Sequence, residues 1–194
     1  MSTDSWTSVA NQPTPRYGLA AVSAGNGRIY AIGGTNASGA EVSTVEAYTP
    51  SNNTWTTVSG MPTARTGLAA ALGSDGRIYA IGGQDGSLVG MKTVEAYSPS
   101  TNTWASVASM PTGRFDLAAA TGPDGRIYAI GGRSGSFADG LTTVEVYTPS
   151  TNSWATVANM QIPRSLHAAT LGPDGRIYAI GGRDSAITAE VYTP

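Results

Sequence analysis

Apolar positions in this chain come in short runs cut by glycine, proline and small polar residues, and the runs recur in one order. In a representative stretch, Arg65-Thr66-Gly67-Leu68-Ala69-Ala70-Ala71-Leu72 is rich in small residues and stops at Gly73-Ser74-Asp75-Gly76. Asp-Gly supplies the positive-φ positions of a hairpin turn, so this run predicts a strand, a, that enters a hairpin. The next run, Arg77-Ile78-Tyr79-Ala80-Ile81-Gly82-Gly83, is apolar and aromatic and ends in diglycine. It predicts a strand, b, packed on both faces and stopped where side chains do not fit. After a loop, Thr93-Val94-Glu95-Ala96-Tyr97 alternates with period two and ends in the turn formers Ser98-Pro99-Ser100-Thr101-Asn102, giving strand c. Thr103-Trp104-Ala105-Ser106-Val107 alternates again before Met110-Pro111 breaks the ladder, giving strand d.

This unit is repeated. Tryptophans stand at 6, 55, 104 and 154, arginines at 16, 65, 114 and 164, and Gly-Gly pairs start at 33, 82, 131 and 181, with spacings of 49, 49 and 50. Three independent markers sharing one spacing establish an internal repeat before any finer reading. Ile29-Tyr30-Ala31-Ile32-Gly33-Gly34 with Glu46, Tyr48 and Trp55 recurs through Ile177-Tyr178-Ala179-Ile180-Gly181-Gly182 with Glu190 and Tyr192. Diglycine after strand b, Tyr in strand c and Trp in strand d resemble the kelch repeat over nearly the whole chain. The resemblance implies an all-β fold: a β-propeller of four-stranded antiparallel kelch-type blades, four per chain. Strand a then lines the axis and strand d the rim, where Trp and Tyr fill the wide gaps between blades.

A single domain is expected over residues 1–194, with blades at about 16–59, 65–108, 114–158 and 164–194, the last completed by residues 4–10. Thr193-Pro194 followed by Ser2-Thr3-Asp4-Ser5-Trp6 reproduces Thr148-Pro149-Ser150-Thr151-Asn152-Ser153-Trp154. The fold is therefore expected to close by pairing the N-terminal strand with the last blade, because strand c would otherwise be an open edge. Closure within one chain gives a four-bladed monomer. Closure between two chains gives an eight-bladed homodimer with exchanged rim strands, the form favoured because kelch blades suit larger rings. The close repeats and absent tails read as an excised, recently amplified or engineered chain.

Composition agrees with many short strands: 12% of the 194 residues are charged, with 25 Gly and 11 Pro. A net charge of -2 offers no basic field for nucleic acid or an anionic membrane. There is no cysteine, hence no disulfide and no thiolate chemistry. The N-terminus has no basic and apolar signal pattern, and no window reaches the ~18 apolar residues of a spanning helix, so a soluble chain of undetermined compartment is expected. Asn36-Ala37-Ser38 and Asn52-Asn53-Thr54 match the glycosylation sequon at chance level.

Little of the sequence reads as chemistry. The single histidine, His167, occupies the repeat position of Leu19, Leu68 and Leu117, which favours packing over a role on a binding face. Some kelch-family oxidases use copper with histidines and a tyrosine–cysteine crosslink; without cysteine that chemistry does not carry over, and no metal or cofactor is expected. Glu46, Glu95, Glu145 and Glu190 recur once per blade, as do the tryptophans 6, 55, 104 and 154, and read as structural partners rather than an acid–base pair. Arg28, Arg77, Arg126 and Arg176 follow the hairpin turns. Arg16, Arg65, Arg114 and Arg164 open strand a and are either structural or ring the entrance to the axis. No diglycine is followed by a helix and a P-loop lysine, so no phosphate cradle is read.

The repeats differ mainly in the b–c loops and just after the d–a arginines, connections that emerge on the same face of a meander. Tyr17, Phe115, Asp116, Arg133, Arg183 and Asp184 are the candidate ligand-binding residues of that face, since aromatics and arginine dominate hot spots. Loops also vary because little constrains them. The expected function is a non-catalytic protein- or peptide-binding module or structural scaffold. The alternative is a carbohydrate-binding or enzyme-like propeller that uses the axial pocket.

Overall fold

The computed structural model describes residues 4–135, 140–183 and 187–194. Blade 1 holds β1 (Arg16–Tyr17), β2 (Ala20–Ser23), β3 (Ile29–Ile32), β4 (Thr35–Asn36), β5 (Val45–Thr49) and β6 (Thr54–Val58). Blade 2 holds β7 (Ala69–Leu72), β8 (Ile78–Ile81), β9 (Val94–Ser98) and β10 (Thr103–Ser106). Blade 3 holds β11 (Ala118–Thr121), β12 (Ile127–Ile130), β13 (Val144–Thr148) and β14 (Ser153–Thr156), and blade 4 holds β15 (Ala168–Leu171), β16 (Ile177–Ile180) and β17 (Ala189–Tyr192). The sheets run β2-β3-β5-β6, β7-β8-β9-β10, β11-β12-β13-β14 and β15-β16-β17, all antiparallel, while β1 and β4 pair as a separate ribbon. No helix occurs among the described residues, so none is long and apolar enough to cross a membrane.

Strand a is shorter than its sequence suggests because the residue before its leucine or histidine adopts a left-handed conformation: Gly18 (φ 64°), Gly67 (62°), Asp116 (53°) and Leu166 (55°). That conformation interrupts a pleated strand and is easiest for glycine. It also builds a backbone relay between blades, in which Gly67 N–H donates to Gly18 O (2.9 Å), Asp116 to Gly67 O (2.7 Å) and Leu166 to Asp116 O (2.9 Å). The diglycines explain themselves similarly. A Cβ on Gly33 would lie 2.7 Å from Arg65 O, and its neighbour Gly34 donates its N–H to that same carbonyl at 2.8 Å.

The inner strands pack in succession, β2 on β7, β7 on β11 and β11 on β15. Three apolar cores fill the gaps between successive blades: Ile32 and Tyr30 with Ile78 and Tyr97, Ile81 and Tyr79 with Ile127 and Tyr147, and Ile130 and Tyr128 with Ile177. At the rim, Tyr48, Tyr97 and Tyr147 each tilt against the tryptophan of their own blade at 5.1–5.2 Å between centroids. The rim tryptophan also reaches the preceding blade: Trp104 Nε1 donates to Ser59 O and Trp154 Nε1 to Ala108 O, both at 2.8 Å.

The rim strand expected from residues 4–10 is not in place within one chain. Those residues form no strand, Trp6 is fully exposed, and β17 is the outer strand of a three-stranded sheet. The physical reason is that the segment stays against blade 1 and the described cores bring no face of blade 4 to blade 1. Trp55 Nε1 donates to Ala10 O (2.9 Å) and Ala10 N–H to Asn53 Oδ1 (2.8 Å), while the described cores join only consecutive blades.

Candidate functional site: the loop face

The residue after each strand-a arginine pairs with the residue after the diglycine. Tyr17 pairs with Thr35, Thr66 with Gln84 and Phe115 with Arg133, and Arg183 N–H donates to Ser165 O at 2.9 Å. Four equivalent clamps thus tie the d–a loops to the b–c loops, and the variable residues sit on a braced face rather than on free loops.

The arginines that open strand a lie beneath this face, with side chains fully buried in every blade. Arg16 pairs with Glu46 at 3.0 Å, Arg65 with Glu95 at 3.0 Å, Arg114 with Glu145 at 2.7 Å and Arg164 with Glu190 at 3.3 Å. The remaining guanidinium hydrogens reach strand carbonyls: Arg65 Nη1 donates to Gly82 O and Thr93 O, both at 2.9 Å. Burial pulls Arg16, Arg65 and Arg114 below the usual arginine range and the paired glutamate opposes it; arginine remains charged throughout. Thr14, Thr63 and Thr112 donate to the glutamates of blades 1 to 3 at 2.6–2.8 Å, whereas Glu190 accepts the backbone N–H groups of Gln161 and Ile162.

The candidate binding residues divide. Tyr17 is 67% exposed and Arg183 is exposed. Phe115 is only 1% exposed: the Arg133 guanidinium covers its ring at 4.7 Å from the centroid, and Asp116 fixes that guanidinium at 2.7 Å. Phe115 is therefore no surface anchor but the base of an Arg133–Asp116 lid, an arrangement that fills the clamp position with packed rather than exposed area. Asp184 lies outside the described residues. Leu88, Val89 and Leu166 fall in the segments where the repeats differ but are not among the candidate binding residues, and they are 49–60% exposed on the same set of loops. A signal existed for Leu166, since it replaces the glycine of the left-handed position in blades 1 and 2.

A shallow groove at the centre of the face is lined by Tyr17, Thr35, Glu41, Gln84, Arg133 and Leu166. Gln84 Oε1 is shielded from solvent there with no hydrogen-bond partner among the described residues. No group of three or more His, Cys, Asp or Glu residues that could hold a metal ion occurs among the described residues. His167 is buried between blades 3 and 4 beside Gly131, and neither ring nitrogen has a hydrogen-bond partner among the described residues. Burial, and then the charge of Arg164, lower its pKa from 6.5 to about 4, so it is neutral at physiological pH.

No curated protein matches the chain. The family model described as the KLHDC2/KLHL20/DRC7 Kelch-repeats domain matches residues 1–192. With four blades carrying the diglycine, the strand-c tyrosine and the arginine–glutamate pair in one order, this chain belongs to the Kelch-repeat family.

Proposed function

We propose that this chain is a non-catalytic binding module that presents its b–c and d–a loop face to a protein or peptide. Kelch propellers are commonly protein-interaction modules. The observation that carries the reading here is the set of four backbone clamps, which brace a face whose exposed residues, Tyr17, Val89, Leu166 and Arg183, differ between blades that are otherwise copies. A rigid platform with a few large anchors loses little entropy on binding. Selection of a random peptide display library on the chain tests it. Enriched peptides are expected to bind at least ~10-fold more weakly to the chain carrying Tyr17→Ala, Val89→Ala, Leu166→Gly and Arg183→Ala. Equal affinity for that variant overturns the face.

A carbohydrate or small-molecule ligand in the axial groove is the second reading, favoured by the polar lining and the unpartnered Gln84 Oε1. A glycan array separates the two, since groove binding is expected to be lost with Gln84→Leu and unaffected by Val89→Ala. The reading also includes self-association into an eight-bladed homodimer, supported by the unpaired residues 4–10 and the three-stranded last sheet.

A further inference from the structure

Building on that self-association reading, we propose that the open faces of blades 4 and 1 are the two halves of one head-to-tail junction. A second copy of this chain supplies the mating face and lends its residues 4–10 as the outer strand of blade 4.

The internal junctions define what such a mating must contain, and each element has an unmatched counterpart at the two ends. The isoleucine that starts strand b is at most 2% exposed in blades 2, 3 and 4 (Ile78, Ile127, Ile177), but Ile29 of blade 1 is 40% exposed. The isoleucine that ends strand b is at most 4% exposed in blades 1, 2 and 3 (Ile32, Ile81, Ile130), but Ile180 of blade 4 is 50% exposed. Across each junction the strand-b tyrosine tilts against the strand-c tyrosine of the next blade: Tyr30 on Tyr97 at 5.6 Å, Tyr79 on Tyr147 at 5.3 Å and Tyr128 on Tyr192 at 5.5 Å. That series leaves Tyr178 of blade 4 and Tyr48 of blade 1. The second glycine of each pair donates its N–H to the next blade's arginine carbonyl, Gly83 to Arg114 O at 3.0 Å and Gly132 to Arg164 O at 2.8 Å, which leaves Gly182 and Arg16 O. The backbone relay, in which each N–H donates to the carbonyl of the preceding blade, leaves Gly18 N–H at the blade 1 end and Leu166 O at the blade 4 end. Every unmatched group on blade 4 has its complement on blade 1.

Residues 4–10 complete the match. Ala10 bonds to Trp55 and Asn53 as Ser59 bonds to Trp104 and Asn102, and as Ala108 bonds to Trp154 and Asn152. The segment is therefore held as the rim strand of whichever blade precedes blade 1. Seven residues span at most about 25 Å, so it reaches only a blade directly against blade 1. The register follows from Tyr48↔Trp55, Tyr97↔Trp104 and Tyr147↔Trp154, which place Trp6 opposite Tyr192 and Thr7 opposite Val191. By the same repeat Trp6 Nε1 meets Ala158 O. A groove lined by Tyr128, Val144, Ala158, Met160, Val191 and Tyr192 lies there to receive the indole.

The junction is heterologous, so two copies close it twice and form a ring only if the per-blade turn is about 45°, against about 90° for a four-bladed monomer. Light scattering on the whole chain and on two variants reads it. The wild type is expected at about 40 kDa, twice 19.8 kDa. Ile29→Asp, which spoils one half of the junction, and Ile180→Asp, which spoils the other, are each expected at about 20 kDa. Both side chains are half-exposed in the single chain, so unchanged circular dichroism confirms that each variant folds. Mixed at several hundred micromolar, the variants regain one intact junction, and their average mass is expected to rise toward about 40 kDa without the doubled avidity of the closed ring. A wild type of about 40 kDa with both variants also at 40 kDa overturns the junction while leaving self-association standing. A wild type of 20 kDa overturns self-association itself, a mixture that stays at 20 kDa overturns the head-to-tail assignment, and masses that climb beyond 40 kDa overturn two-chain closure.

Discussion

Blades 2 and 4 carry the same strand b, Ile-Tyr-Ala-Ile followed by Gly-Gly, and bury it differently. Ile78–Ile81 is buried throughout, whereas in Ile177–Ile180 the tyrosine is half-buried and the last isoleucine exposed. Nothing local differs between these strands. What differs is that blade 2 has a neighbour on both sides and blade 4 on one. The chain behaves as a one-dimensional array in which each unit is stabilised by its neighbours, and the cost of an end is visible residue by residue.

The buried ion pairs give the largest way to break this comparison. Glu95→Leu leaves Arg65 charged and unpaired under blade 2 with its side chain fully buried, and is expected to destabilise by about 3–5 kcal/mol. Glu190→Leu in blade 4 acts on a carboxylate that is 20% exposed, opposite an arginine that keeps Gly181 O, Thr188 O and Thr188 Oγ1, and is expected to cost roughly half as much. Urea midpoints of the two variants at low protein concentration measure the gap. If blade 4 gains a neighbour by self-association, the gap narrows as protein concentration rises. Equal costs at every concentration would show that the end blade is as well covered as an inner one.

His167 sharpens the comparison at the junction of blades 3 and 4. The unfolded histidine titrates near its ordinary value of 6.5 and the folded one at about 4, so the unfolded chain takes up the proton first. The stability linked to this residue is complete above about pH 6.5 and is lost as pH falls towards 4. The linkage has a ceiling of about 3 kcal/mol. Leu68 and Leu117 fill the same position in blades 2 and 3, so His167→Leu is expected to stabilise the chain at pH 7.5 by about 1–2 kcal/mol, through removal of two unpartnered ring nitrogens. It is also expected to remove about 2 kcal/mol of the stability difference between pH 7.5 and pH 4.5. Denaturant melts of both proteins at the two pH values decide it, and an identical pH response would place the acid sensitivity in the carboxylates.

The four-strand unit, its repeat and the packing of the aromatic rim were legible in the sequence because each depends on residues that recur in register, such as Trp104, Tyr97 and Gly82-Gly83. The pairing of Glu46 with Arg16 was legible only as a possibility, since periodicity says that two residues recur together and not that they touch. Phe115 was misplaced for a definite reason: hot-spot composition favours an exposed aromatic, but Arg133 and Asp116 together cap the ring and remove it from solvent. The proposed binding face is less legible than the fold because its variation carries no period against which an unusual residue could be recognised.

Leu166 is the exception, and it sets the smallest of these effects. It stands where Gly18 and Gly67 stand, at φ 55°, a conformation that costs a γ-branched side chain about 1 kcal/mol. Its side chain is 60% exposed, so packing does not hold it in that conformation; the relay hydrogen bond from its N–H to Asp116 O does. Leu166→Gly is therefore expected to raise stability by up to about 1 kcal/mol, reduced by the extra freedom glycine gains in the unfolded chain. Asp116→Gly at the same position of blade 3 is expected to lower stability, because aspartate tolerates the left-handed conformation and its carboxylate fixes Arg133 over Phe115. Opposite signs at two equivalent positions would show that Leu166 strains the face it occupies without contributing to the fold, as a ligand anchor does. Equal signs would return Leu166 to the framework and leave Tyr17, Val89 and Arg183 to carry the surface.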